Sequence, residues 1–119
     1  MHVNRGEIVL AFFPHATGTG AKKRPSLVIQ ADLYNRKLQN VIVVQITSIL
    51  KHANDPASLL IEVSTPAGQA SGLLRDSVVS CVNIATIHES LILQVIGSLS
   101  TAMMAKVDEC VKAALGILP

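Results

Sequence analysis

The apolar residues of this chain come in short runs, and that spacing constrains its fold more than any other feature. Ile8–Phe13, Ser26–Ala31, Val41–Thr47, Ser58–Val63, Ser77–Val82 and Leu91–Ile96 are rich in Val, Ile and Leu, with Gly, Pro, Asn and Asp between them. Runs of this length suit strands better than helices. Branched side chains fit an extended, half-buried backbone, and the intervening residues favour turns. Six such pieces predict a compact antiparallel sheet or barrel. Thr65-Pro66-Ala67-Gly68 reads as a turn, and the piece between Asn83 and Ser90 as a single helical turn.

The C-terminal part follows another period. Met103, Met104, Val107, Cys110, Val111, Ala114, Leu115 and Leu118 recur every three or four residues, while Lys106, Asp108, Glu109 and Lys112 mostly fall on other sides. That pattern is an amphipathic helix. Ser100 is placed to cap its start, and Gly116 and Pro119 to end it. The expectation is one mainly β domain over residues 1–119, with the terminal helix lying across it.

Half of the 119 residues are hydrophobic and 15% are charged, which excludes intrinsic disorder. So apolar a small body has more surface to hide than it can bury alone, so a second copy is expected. Either the Ser77–Val82 strand or the terminal helix offers enough apolar surface to meet it. No membrane span is expected. The longest uncharged stretch, between Glu89 and Lys106, is interrupted by Gln94, Gly97, Ser98 and Ser100, and a spanning helix needs about 20 predominantly apolar residues. The first apolar run is too short and too polar-flanked for a secretory signal. Cys81 and Cys110 lie inside apolar patterns and read as buried, reduced thiols, which points to the cytoplasm.

Net charge is only +2, but it is unevenly spread. Residues 1–51 hold seven cations and two acids, and residues 52–119 hold three cations and six acids. A basic half permits an anionic partner. Much familiar chemistry is missing: no phosphate-cradling glycine motif, no dinucleotide fingerprint, no G-x-S-x-G elbow and no Cys/His cluster with zinc spacing. Neither a metal nor a cofactor is expected. His2, His15, His52 and His88 are scattered and read mainly as surface or loop residues.

Two places remain. Lys22-Lys23-Arg24-Pro25 sits where a glycine-containing loop enters a strand. Pro25 restricts its own backbone and biases Arg24 towards extended geometry, so the guanidinium can be aimed. Its fork suits phosphate oxygens. Thr47-Ser48 ends the very apolar strand Val41–Ile46, where a hydroxyl either bonds a turn or faces a ligand.

At these residues the chain resembles the MazF/PemK endoribonuclease toxins of bacterial toxin–antitoxin systems. The matching segments run in order: Arg5-Gly6-Glu7-Ile8-Val9, Lys22 to Ile29, Ile46-Thr47-Ser48, Ser71-Gly72-Leu73, Asp76 to Val79, Ala85-Thr86-Ile87 and Ile96 to Ser100. The resemblance implies an SH3-like antiparallel barrel of the MazF/CcdB type, a homodimer, and metal-independent cleavage of single-stranded RNA. It maps the catalytic Arg and Thr onto Arg24 and Thr47, with Lys22, Lys23 and Ser48 binding the RNA. A cognate antitoxin is implied as partner, and contact with DNA only through that antitoxin. Where some members carry an acid, a Gln and an Arg, this chain has Val82, Asn83 and Ala85, and its first loop lacks their acidic side chain. His15 or Arg75 is therefore the expected partial substitute as acid or base. Two rival readings are a barrel that binds a protein target, as CcdB-like toxins bind gyrase, and a degenerate homologue kept for its antitoxin or dimer contacts.

Overall fold

A computed structural model describes residues 2–118. Its elements are β1 (Glu7–Pro14), β2 (Ala21–Val28), α1 (Asp32–Lys37), β3 (Asn40–Thr47), β4 (Ser58–Ile61), α2 (Pro66–Ser71), β5 (Ser77–His88), β6 (Ile92–Ser98) and α3 (Thr101–Leu115). All strand pairings are antiparallel, in the order β4-β5-β3-β2-β1-β6. No ladder joins β4 to β6 among the described residues, so the barrel-like sheet stays open between its edge strands.

The central strands are apolar at consecutive positions because both faces of the sheet are covered. Ile8, Leu27, Val44 and Ile46 pack on one face with Met104, Val107 and Cys110 of α3. Their neighbours Val9, Val28 and Val43 pack on the other face with Ala11, Phe13, Ile87 and Ile92. Helix α3 starts where expected, with Ser100 Oγ accepting the Met103 N–H at 3.2 Å, and it ends at Gly116 in the left-handed region. Its predicted stripe holds as far as Ala114, whereas Leu115 and Leu118 are exposed. The expected role of Pro119 lies outside the described residues.

Several expectations are corrected. No helical turn occupies residues 83–88, because β5 runs on to His88 along β3 and only Glu89–Leu91 forms a short 3-10 turn. Thr65 opens a helix rather than a simple turn. Its Oγ1 accepts the Gly68 N–H at 3.1 Å, and Pro66 takes the first helical position, where its missing N–H costs nothing. The cation run is not in a loop: β2 starts at Ala21, pairs through Lys22, Lys23 and Arg24 with β1, and stops at Val28 rather than Ala31. Helix α1 was not predicted. It is held by a buried amide pair, in which Gln30 Nε2 donates to Asn35 Oδ1 at 2.9 Å and Asn35 Nδ2 donates to the Gln30 carbonyl at 3.0 Å. The Ser77–Val82 strand offers little surface to a second copy, since Ser77 to Cys81 are buried under α3 and β4 and only Val82 is exposed.

Two polar features lead to measurable stability effects. Ser26, in the middle of β2, is fully buried, and its hydroxyl is the one buried side-chain polar atom without a partner among the described residues. An unsatisfied buried hydroxyl costs about 1–3 kcal/mol. Ser26→Ala is therefore expected to raise stability by about 1 kcal/mol, seen as a higher midpoint in urea denaturation. The second feature is Asp32, whose carboxylate accepts the Arg5 backbone N–H at 2.6 Å and the Asn35 amide at 3.2 Å. The Arg5 bond, helped by Asn35 and the nearby Arg36 and Arg5 charges, outweighs partial desolvation and holds the carboxyl below its ordinary 3.8. A group lowered on folding contributes its stability in full above the unfolded value and loses it as pH falls through the folded one. The wild type should thus lose stability on acidification below pH 3.8. The gap between it and Asp32→Asn in denaturation midpoint should be wide at neutral pH and narrow in acid.

Candidate functional site

Strands β2 and β3 separate two hollows. The last paired residues at this end are Ser26 and Gln45. One step beyond, Pro25 and Ile46 both line an apolar hollow of about 450 Å³ with Ser48, Leu73, Leu74 and Arg75. On the opposite side, Arg24 and Gln45 both line a second hollow of about 420 Å³ with Phe13, His15 and the β5 segment Val82–Ala85. Side chains alternate along a strand, so Thr47 shares the face of Gln45, and Arg24 shares the face of Ser26. Alternation therefore carries Arg24 and Thr47 to one face of adjacent strands, each two residues past the Ser26–Gln45 pair.

Local structure aims these groups. Arg24 is half-buried and held in the β1–β2 ladder opposite Ala11. Thr47 is half-buried at the end of β3, and its Oγ1 accepts the Ile49 backbone N–H at 3.2 Å. That bond uses a lone pair and leaves the hydroxyl proton free to be donated. Lys22 and Lys23 are exposed on β2, opposite Phe13 and Phe12. His15 begins the β1–β2 loop, where its N–H donates to the Gly20 carbonyl at 3.1 Å and its carbonyl accepts from Gly18 at 3.0 Å. The turn needs Gly18 and Gly20 at positive φ.

The two expected substitutes are thereby separated. His15 opens into the hollow of Arg24, whereas Arg75 opens with Ser48 into the apolar one. No carboxylate lines the Arg24 hollow. The thiols are far from nucleophilic. Burial pushes Cys81 up to about 12, and it also raises Cys110, whose Sγ–H donates to the Ser58 carbonyl at 3.4 Å. No group of three His, Cys, Asp or Glu is placed to hold a metal among the described residues, and no helix there is long and apolar enough to cross a membrane.

Sequence reasoning missed Gln45 and did not give Asn83 a place in the hollow. Asn83 arrives there through an irregularity of β5. Val44 faces Ile84, but the next residue, Gln45, faces Ser80. Three β5 residues, Cys81, Val82 and Asn83, thus have no opposite number on β3. An odd insertion swaps the faces of a strand. Accordingly Val79 and Cys81 enter the core beneath α3, while Ala85 and Ile87 enter the other core. Two sequence signals pointed there: the polar pair Ser80 and Asn83 inside an apolar run, and the place of Val82, Asn83 and Ala85 where some members of the resembled family carry polar residues.

Comparison with known proteins agrees with this architecture. The family described as "PemK-like, MazF-like toxin of type II toxin-antitoxin system" matches residues 4–115. The chain is 33% identical to Endoribonuclease MazF6 of Mycobacterium tuberculosis, over 98% of this chain and all of that protein. It is also 33% identical to Endoribonuclease EndoA of Bacillus subtilis, over 99% of this chain and 98% of that one. Among solved structures, an endoribonuclease from a mycobacterial species superposes with a TM-score of 0.77 at 21% identity, covering 100% of this chain and 97% of that one. Another mycobacterial endoribonuclease, in complex with its cognate antitoxin, gives 0.74 at 23% identity and covers 98% of each chain.

Proposed function

Because the chain is an endoribonuclease toxin of the PemK-like, MazF-like family of type II toxin–antitoxin systems, we propose that it cuts single-stranded messenger RNA sequence-selectively and without a metal. The RNA supplies the nucleophile. Its 2′-oxygen bonds to the adjacent phosphorus as the bond from phosphorus to the 5′-oxygen breaks. The 2′-hydroxyl proton leaves to a base, and a proton reaches the departing 5′-oxygen. The products are a 2′,3′-cyclic phosphate and a free 5′-hydroxyl.

The observation that carries this reading is the shared face of Arg24 and Thr47 on neighbouring strands, with Arg24 lining a hollow that also holds His15. Charge gathers on the phosphoryl oxygens in the transition state, where a preorganised guanidinium stabilises it most. The free hydroxyl proton of Thr47 reaches the same phosphate and holds it in line. His15, lining the same hollow from the loop, serves as acid or base. Arg75 lies across the strands with Ser48, outside the hollow of Arg24, which leaves His15 as the substitute beside the guanidinium. Lys22 and Lys23 add affinity through counterion release.

The partners follow from the same reading. A cognate antitoxin binds the toxin, a reading supported by the mycobacterial endoribonuclease solved in complex with its own. Leu74, 96% exposed at the rim of the apolar hollow, supports such a protein contact. The toxin acts as a homodimer in the cytoplasm and meets DNA only through the antitoxin. The test is incubation of purified protein with mixed-sequence RNA in EDTA. Fragments ending in cyclic phosphate and 5′-hydroxyl are expected. Growth arrest without any RNA cleavage would overturn the proposal in favour of a barrel that binds a protein target.

A further inference from the structure

The three unmatched residues of β5 do more than swap its faces. Cys81 turns inward, with its N–H donating to the Ala57 carbonyl at 3.0 Å, and Val82 turns out to 66% exposure. Asn83 is tethered: its Nδ2 donates to Ser80 Oγ at 2.9 Å, across the bulge. One N–H and the whole carbonyl oxygen of that amide remain uncommitted among the described residues, and the side chain lines the hollow that holds Arg24.

We infer that this hollow seats one unstacked RNA base beside the phosphate held by Arg24, that Asn83 reads the base's edge, and that Ser80 is its positioning residue. The inference rests on the nuclease reading above and extends it to sequence selection. A space of about 420 Å³ falls within the range of small-molecule sites and accommodates a nucleobase. Single-stranded RNA is read on bases splayed out of the stack, through hydrogen bonds to their edges. A side-chain amide offers a donor and an acceptor side by side, matching the adjacent acceptor and donor atoms of a base. The lining holds no carboxylate, and Phe13 is too buried to present a stacking face. Selection by hydrogen-bond pattern is what this wall can supply. The tether matters because an amide free to rotate loses its directional preference, whereas one held at its nitrogen presents its oxygen in a single direction.

The experiment uses a random-sequence RNA pool with sequencing of the cut ends. Relative cleavage of two sequences in one tube does not depend on how much protein is folded. The wild type is expected to favour one base strongly at one position next to the cut. Asn83→Ala should flatten that preference by about tenfold or more and slow cleavage of the favoured sequence. Asn83→Asp, which replaces the donor by an acceptor, should change which base is favoured. Ser80→Ala should flatten the same position in part, and Ser80→Thr, which keeps the hydroxyl, should restore it. An unchanged preference in Asn83→Ala overturns the reading role alone. A uniform loss of rate for every sequence in both Asn83 variants, with wild-type melting, also overturns it. Absence of cleavage by the wild type overturns the nuclease reading and this inference with it.

Discussion

Arg24→Ala is expected to cut RNA about a hundred- to a thousandfold more slowly than the wild type while melting within a few degrees of it. The magnitude is that of losing one preorganised donor aimed at developing charge. Small loss of stability follows from position: Arg24 is half-buried at the rim of the hollow and makes no side-chain hydrogen bond or ion pair among the described residues. Arg24→Lys keeps the charge but loses the fork, and should recover only part of the rate. Thr47→Ala should fall in the same direction by a smaller factor, because one neutral hydrogen bond is weaker than a charge-assisted pair. Thr47→Ser should keep most of the rate, since only the hydroxyl is needed. Single-turnover cleavage of a fluorogenic RNA in EDTA measures all four, with thermal melting alongside. Full activity in Arg24→Ala would remove the phosphate-binding role from this strand end.

The largest stability effect is expected at Gly72. This residue ends α2 at φ +73°, and a Cβ there would lie 1.9 Å from the carbonyl oxygen of Ile96 on β6. Gly97 meets the same contact from the other side, its added Cβ falling 2.2 Å from the Ser71 carbonyl oxygen. Backbone faces backbone here, so no side chain can swing aside. Gly72→Ala must push α2 off β6, adding steric overlap to the left-handed strain. The cost should be about 4 kcal/mol or more, in the exceptional range for one substitution. For a domain of this size that lowers the melting temperature by well over about 10 °C. Gly116→Ala is the matched control. Its φ is +70° but nothing lies within 4 Å of the added Cβ, so only the strain of about 1 kcal/mol should appear. Equal losses at the two positions in urea denaturation would refute the close-approach argument.

Much of the architecture is legible before any coordinates. Runs such as Val41–Ile46 have one stable outcome, a strand covered on both faces, and the period from Met103 to Ala114 has one as well, a helix with a single apolar side. The caps follow the same local logic, since Ser100 and Gly116 act on backbone groups within a few residues. Helix α1 escapes such reading because it is held by a buried exchange between Gln30 and Asn35 rather than by an apolar stripe. The strand identity of Lys22–Arg24 escapes it too. Exposed cations beside a glycine loop look like a loop, and only pairing with β1 makes them a strand.

What the sequence determined by itself is therefore whatever depends on near neighbours: strand and helix periods, the terminal caps, and the residue types at Arg24 and Thr47 that suit a phosphate. What the tertiary structure decided is which of these residues share a space. It placed Arg24 with His15 and sent Arg75 to the other side of the sheet. It also opened β5 by three residues, bringing Asn83 into the hollow. The physical reason is that register between strands is settled by pairing partners far apart in the chain. A slip by an odd number of residues exchanges every inward and outward side chain beyond it, and no local pattern records that slip.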